Sequence, residues 1–66
     1  MTNIEFIKAG KKLTGIEYGY QQDFSDILCI SVSAVEKFAS GKRKIPAYIE
    51  KSIESLLKIE ELLKNE

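Results

Sequence analysis

Apolar residues recur at helical spacing along nearly the whole chain, and this pattern limits the fold to one built from α-helices. The first repeat, at positions i, i+3, i+4 and i+7, consists of Phe6, Ala9, Gly10 and Leu13. Thr2 and Glu5 lie just before it with the spacing of a capping box, in which a hydroxyl and a carboxylate satisfy unpaired amides at a helix start. We therefore predict a first helix from about Asn3 to Leu13.

Two shorter helices with a brief interruption between them are predicted after the glycine-containing loop at residues 15–19. The first of the two spans Gln21–Leu28. Ser31 is a favourable N-cap for the second, which spans Val32–Ala39. Gly41 follows and suits the left-handed conformation that ends many helices. The side chains predicted to be buried on these two helices are Phe24, Ile27, Leu28, Val35 and Phe38.

The last predicted helix is long, beginning at Pro46 and continuing to about Lys64. Proline suits the first helical position because its missing N–H needs no partner there. The apolar side chains predicted to face inward on this helix are Ile49, Ile53, Leu56, Leu57, Leu62 and Leu63. The apolar pattern continues past the length that packing within one domain needs. It therefore indicates either a seam for a second copy of the chain or a frayed, solvated tail.

Packing must hold this fold together, because the composition excludes the common cross-links of small domains. Cys29 is the only cysteine and histidine is absent, so an intramolecular disulfide is impossible and a structural zinc site lacks its usual ligands. A core of this size contributes a net stability of only about 3–5 kcal/mol. We interpret Cys29 as a small buried side chain. Three tyrosines are predicted to pack at the edge of the core: Tyr18, Tyr20 and Tyr48.

The protein is expected to be cytoplasmic, since a single unpaired cysteine suits a reducing compartment. Residues 1–10 lack the basic and then apolar character of a signal peptide. No run of apolar residues approaches the roughly 18 that a membrane-spanning helix needs. The sequence also lacks a glycine-rich phosphate loop, a nucleophile elbow and a metal-binding cluster, so neither enzymatic activity nor a cofactor is expected.

Positive charge is concentrated in one short segment, although the chain carries 10 basic and 10 acidic residues in total. Residues 1–36 and residues 45–66 each have three basic and five acidic residues, a net charge of −2 in both cases. Residues 37–44 contain four basic residues and no acidic one. A basic run is usually solvated surface, but this one follows the second of two short helices, which is the plan of a helix-turn-helix.

The segment Gln21–Gly41, with the sequence QQDFSDILCISVSAVEKFASG, resembles the Cro/repressor-type (XRE, lambda-repressor-like) helix-turn-helix. The GKRKIP that begins at Gly41 and leads into a long amphipathic helix is similar to the continuation in small phage-type members. The resemblance covers about residues 21–57 without a gap. It implies an all-α, lambda-repressor-like bundle of four to five helices with a long C-terminal helix, in a single domain over residues 1–66.

The resemblance also implies how the chain would meet double-stranded DNA, with the helix at residues 32–39 in the major groove. The residues predicted to form the DNA-binding site are Gln21, Ser31, Val32, Ser33, Glu36, Lys37, Ser40, Lys42, Arg43 and Lys44. Val32, Ser33 and Lys37 match base-facing positions. The positions that match phosphate contacts are Gln21, Ser40, Lys42 and Lys44. The chemistry is consistent, since a lysine can reach guanine O6 and N7 and a valine methyl suits the thymine methyl.

Three positions depart from the pattern of that family. Cys29 lies where the family usually has glycine, which predicts either an unfavourable backbone angle or a different turn. Ala39 lies where many relatives have a larger side chain. Glu36 lies on or beside the predicted reading face, where it would repel phosphate but could accept a hydrogen bond from a cytosine amino group.

These features predict sequence-specific binding of duplex DNA by a small phage- or mobile-element-type transcriptional regulator, most simply a repressor. Because two-fold dimers read palindromic operators, a homodimer formed through the C-terminal helix is expected. The alternative is a protein-interaction module, or an antitoxin, that uses the same fold to hold a protein partner. The zero net charge and Glu36 favour this alternative, whereas the basic segment favours DNA.

Overall fold

The computed structural model describes residues 1–64, and these form four α-helices and no β-strand. The helices are α1 (Asn3–Thr14), α2 (Tyr20–Leu28), α3 (Val32–Ser40) and α4 (Ala47–Lys64). The all-α prediction and the long C-terminal helix are therefore confirmed. None of these helices combines the length and apolar character needed to cross a bilayer.

The start of α1 is held by the predicted capping box. The Thr2 hydroxyl accepts a hydrogen bond from the backbone N–H of Glu5 at 3.2 Å, and the Glu5 carboxylate accepts one from the backbone N–H of Thr2 at 3.0 Å. The hydrogen bond from the Thr2 backbone N–H to the carboxylate, with a further contribution from the Thr2 side chain, lowers the pKa of Glu5 below its ordinary value. At the other end, Gly15 adopts the left-handed conformation and donates to the Lys11 carbonyl, which ends the helix.

Helix boundaries differ from the predicted ones by a single residue in several places. Helix α2 begins at Tyr20 rather than Gln21, because Gly19 adopts a left-handed conformation (φ 76°) and acts as the N-cap. Helix α4 begins at Ala47, and the carbonyl of Pro46 accepts hydrogen bonds from Ile49 and Glu50. Pro46 therefore immediately precedes the first helical residue instead of being that residue.

Three phenylalanines from α1, α2 and α3 form the centre of the core. The ring of Phe6 lies 5.0 Å from that of Phe24 and 5.7 Å from that of Phe38, measured between centroids. These tilted and edge-to-face pairs are the favourable geometries for aromatic side chains. The other buried apolar side chains are Ala9, Tyr20, Val35, Ile45, Ile49 and Ile53. The core thus includes side chains from all four helices, and α4 packs against α1 and α2.

Several apolar side chains predicted to be buried are instead exposed. Ile27 lies on the outer side of α2, and Leu62 and Leu63 extend beyond the core on α4. Tyr18 and Tyr48 are also exposed, whereas Tyr20 is fully within the core. Helical spacing shows which side chains share a face but not how far a neighbouring helix covers that face. The tail of α4 is long enough to leave its apolar residues uncovered.

The turn between α2 and α3 has an unusual backbone at Cys29, which has φ 58° and ψ 40°. It is the only non-glycine residue with positive φ among residues 1–64. Its N–H donates to the Asp26 and Ser25 carbonyls, so it occupies the C-cap position where glycine is favoured. The predicted unfavourable angle is confirmed. The predicted burial of Cys29 is wrong, because the turn directs its side chain into solvent.

We expect Cys29→Gly to increase the free energy of unfolding by about 0.5–1 kcal/mol. A residue with a β-carbon in the left-handed conformation costs roughly 1–2 kcal/mol of strain, which glycine avoids. Glycine also has greater freedom in the unfolded chain, and this entropy offsets part of the gain in stability. Chemical denaturation followed by circular dichroism measures the change. Cys29→Ala is the matched control, since it removes the thiol but keeps the β-carbon. Equal stability of the glycine and alanine variants would contradict the expected gain, because it would limit the strain at this position to the entropic cost of glycine, about 0.5–1 kcal/mol.

Candidate nucleic-acid interface

Helix α3 has one face in the core and one in solvent. Val35 and Phe38 are buried, while Ser33, Glu36 and Lys37 are exposed. Ser31 is the N-cap of the helix, and its hydroxyl accepts a hydrogen bond from the backbone N–H of Ala34 at 3.1 Å. Because this cap satisfies the start of α3, the first turn is well defined and its outer side chains project in set directions.

The outer side chains of α3 meet a lysine from the following loop in one shallow groove. The residues lining this α3 groove are Ser33, Glu36, Lys37, Ser40 and Lys42. The hydroxyl of Ser40 donates to the Lys37 carbonyl at 3.2 Å, so it is partly engaged by its own helix. Five of the ten predicted site residues are thus brought together on one surface.

The basic loop after α3 is held at both ends. At its start, Gly41 adopts a left-handed conformation (φ 80°) and donates to the Phe38 carbonyl at 3.3 Å. The backbone N–H of Arg43 donates to the Lys37 carbonyl at 3.3 Å, which folds the loop back against α3. At its end, Ile45 is buried in the core. The side chains between these anchors, Lys42, Arg43 and Lys44, are all exposed.

A second anchor joins the end of α3 to the start of α1. The side-chain amide of Asn3 donates to the Ala39 carbonyl at 3.3 Å. Ala39 is half-buried and packs against the core. The point at which the basic loop leaves α3 is therefore fixed by this bond to α1 as well as by the loop's own hydrogen bonds to α3.

The cationic groups of this surface have no carboxylate partners among residues 1–64. The ion pairs in that range join the Met1 ammonium to Glu50 and Lys64 to Glu60. Lys37, Lys42, Arg43 and Lys44 remain available to an external anion. Glu36 is the acidic exception within the α3 groove, and its carboxylate would favour a hydrogen-bond donor over a phosphate at that point.

Gln21 lies in an adjoining groove between α3 and the start of α2. Glu36 and Ser40 line both grooves, so the two form one continuous surface. Gln21 is half-buried, and no side chain caps the backbone amides at the start of α2. Uncapped amides at a helix start are a favourable environment for an anion. The structure thus brings Gln21 to the same surface as α3, as its predicted role requires.

The remaining predicted contact, Val32, is half-buried at the start of α3 and presents only part of its side chain. Seven residues that were not predicted also line the groove beside Gln21, and they include one cation and one carboxylate: Ile7, Lys11, Glu17, Tyr18, Gly19, Tyr20 and Ala39. Tyr18 is 86% exposed. The only signal for it in the sequence was its place between Gly15 and Gly19, outside any helical repeat. Lys11 carries no local signal, because only helix packing brings it here.

No group of His, Cys, Asp and Glu side chains within the described part of the chain is arranged to hold a metal ion. Every buried side-chain nitrogen and oxygen in the same range has a hydrogen-bond partner. The only fully buried polar side chain there, Ser25, donates to the Gln22 carbonyl at 2.6 Å. The interior therefore offers no polar site, and the α3 surface is the candidate for function.

These features define a small four-helix protein with an exposed basic surface built from one short helix and the loop after it. No protein-family model, curated protein sequence or solved structure matches the chain. Its function has to be inferred from the surface itself.

Proposed function

We propose that this chain is a sequence-specific duplex-DNA-binding protein of the Cro/repressor type, acting as a small transcriptional repressor of phage or mobile-element type. The observation that carries the proposal is the continuity of the exposed face of α3 with the unpaired cations at residues 42–44. A helix bearing side chains that can read bases, followed directly by groups that can bind phosphate, is what groove recognition requires.

In the proposed complex, α3 lies in the major groove. The groove of B-DNA is about 12 Å wide and accommodates a helix of about 10–12 Å diameter. Ser33 and Lys37 would contact base edges, with Val32 at the rim facing a thymine methyl. Glu36 would accept a hydrogen bond from a cytosine amino group, which gives this carboxylate a role in selectivity rather than in affinity.

Phosphate contacts would flank α3 on two sides. On one side the loop cations, Lys42, Arg43 and Lys44, would contact phosphates of the DNA strand next to the C-terminal end of α3. On the other side, the start of α2 would present Gln21 and its uncapped amides. Contacts on both edges of the groove fix the orientation of the helix, while the base contacts select the sequence.

We expect the double variant Lys42→Ala/Lys44→Ala to bind duplex DNA with a shallower salt dependence. Each phosphate contact contributes about 0.9 to the slope of log affinity against log salt concentration, so the slope should decrease by up to roughly 1.8. Fluorescence anisotropy with a labelled duplex over a range of potassium chloride concentrations measures it. Lys8→Ala/Lys12→Ala is the matched control, because it removes the same charge from exposed positions of α1 that line a separate groove with α4.

Absence of binding to pooled random duplexes at low salt would refute the proposal. If binding occurs, selection of bound sequences from random DNA would give both the site and its symmetry. Equal affinity for all sequences would support DNA binding but contradict sequence-specific recognition by α3.

A protein partner is the second candidate, and Glu36 is the observation that favours it. This carboxylate lies in both grooves, beside Lys37 in one and Gln21 in the other. Such a mixed surface also suits a protein, as in an antitoxin that holds its toxin. Binding to that kind of partner would lack the steep salt slope expected for a polyanion.

A further inference from the structure

The second half of α4 carries large apolar side chains with nothing packed against them in the described chain. Ile59, Leu62 and Leu63 are 54%, 61% and 67% exposed. Leu57 is the last residue of α4 that packs against the core. Three large aliphatic side chains this exposed on one helix are more than the scattered apolar residues of an ordinary surface.

Ile59 and Leu62 belong to a face that runs the length of α4. Successive members are separated by four, three, four and three residues, which is the repeat of a helix–helix seam. The residues of this α4 seam are Tyr48, Ser52, Ser55, Ile59 and Leu62. Two small side chains, Ser52 and Ser55, lie near the middle of the seam. Two large aliphatic side chains, Ile59 and Leu62, form its second half. Ile27 of α2 lies beside the two serines, where it lines a shallow depression with Lys51 and Leu56.

We propose that a second copy of the chain docks on the α4 seam in antiparallel orientation. With the two helices reversed about a centre near Leu56, Ile59 of each copy lies between Ser52 and Ser55 of the other, beside the depression that Ile27 lines. Leu62 of each copy lies between Tyr48 and Ser52 of the other. In a parallel pair the serines would face serines and leave a gap. An antiparallel pair is two-fold symmetric, as a parallel pair would be, so both copies use the same surface.

The charges beside the seam support the same orientation. Lys51, Glu54, Lys58 and Glu61 follow one another at three- and four-residue spacing, and all four are exposed. The charges alternate in sign along the helix. In an antiparallel pair each lysine therefore lies opposite a glutamate of the second copy. An antiparallel pair centred near Leu56 places Lys51 level with Glu61 of the second copy, and Glu54 level with Lys58. Exposed pairs of this kind add little affinity, but they favour one orientation over the other.

Docking on the α4 seam does not rest on the proposed DNA binding, and it is tested without nucleic acid. We expect sedimentation velocity to show a concentration-dependent dimer. Ile59→Gln should raise the dimer dissociation constant at least about tenfold, since two Ile59 side chains leave the interface. Ile4→Gln is the matched control, because Ile4 is 60% exposed on α1, away from the seam. A monomer at every concentration into the millimolar range, or equal effects of the two variants, would overturn the proposal.

Cysteine cross-linking tests the orientation in a Cys29→Ser background. In the antiparallel pair the two copies of residue 55 lie close to the two-fold axis, whereas the two copies of residue 62 are about 18 Å apart along the helices. Disulfide formation between copies is therefore expected for Ser55→Cys and not for Leu62→Cys, since the bond requires α-carbons within about 7 Å. Cross-linking through residue 62 would show a parallel pair, and cross-linking at neither position would show that the seam is not the interface.

Discussion

Phe6→Ala is expected to unfold most of the protein at room temperature. Truncation of a buried phenylalanine costs about 3–5 kcal/mol, through lost transfer free energy and the cavity that remains. A domain of this size has a net stability of about the same magnitude. Phe6 is fully buried and contacts the rings of both Phe24 and Phe38, so α1, α2 and α3 would all lose packing.

Far-ultraviolet circular dichroism and urea denaturation at one fixed protein concentration would measure this loss. Ile4→Ala is the control, because it removes an aliphatic side chain from the same helix at an exposed position, where changes are usually within about 0.5 kcal/mol. A cooperative transition for Phe6→Ala within 1 kcal/mol of the unmodified protein would contradict the central place of this ring.

Gly10→Ala should destabilise the protein by about 1–2 kcal/mol, even though alanine is the better helix former. A β-carbon at Gly10 would lie 2.6 Å from Cε2 of Tyr20 and 2.8 Å from Cδ2 of Phe24. Both rings are buried and cannot move away without disturbing the core. The overpacking cost of about 1–3 kcal/mol thus exceeds the gain in helix propensity of about 0.8–1.0 kcal/mol.

A double-variant comparison would identify the contact responsible. In a Tyr20→Leu background the atoms nearest to the new methyl group are removed, so the cost of Gly10→Ala should be smaller. Lys8→Ala serves as the control for helix propensity, as it is exposed on the same helix. A stabilising effect of Gly10→Ala in the unmodified protein would show that α1 and α2 are not in close contact at this point.

The core and the proposed interface are coupled through α3. Phe38 lies on the buried side of this helix and packs edge-on against Phe6, while Lys37, its neighbour in sequence, is exposed in the α3 groove. At the end of the helix, the bond from Asn3 to the Ala39 carbonyl adds a polar link to α1. The proposed reading of DNA requires α3 to be held in one orientation, and aromatic packing and this link hold the helix in place.

Much of the fold could be predicted because its determinants are local. The capping box at Thr2 and Glu5, the cap at Ser31 and the left-handed Gly41 each depend on a few neighbouring residues. The backbone angle at Cys29 was predicted in another way, from the resemblance to a family that usually has glycine at this position. The single-residue errors at the starts of α2 and α4 arise because Gly19 and Pro46 can each occupy either of two adjacent positions at a helix end.

The predicted site has a local and a non-local part. The exposed residues of α3 and the basic loop lie close together in sequence, so periodicity and charge were enough to find them. Lys11 and Tyr18 reach the same surface only because α1 and α2 pack beside α3. The close approach at Gly10 is likewise invisible in the sequence, where this residue is simply one member of an apolar repeat.

The sequence by itself determined that this protein is helical, where its helices begin and end to within a residue or so, and that its positive charge follows the third helix. Only the tertiary structure decided which apolar faces are covered. Ile27, Leu62 and Leu63 have the same helical spacing as buried residues, yet they are exposed because no other helix extends over them. Burial depends on the lengths and crossings of neighbouring helices, which are properties of the whole assembly and not of any one repeat.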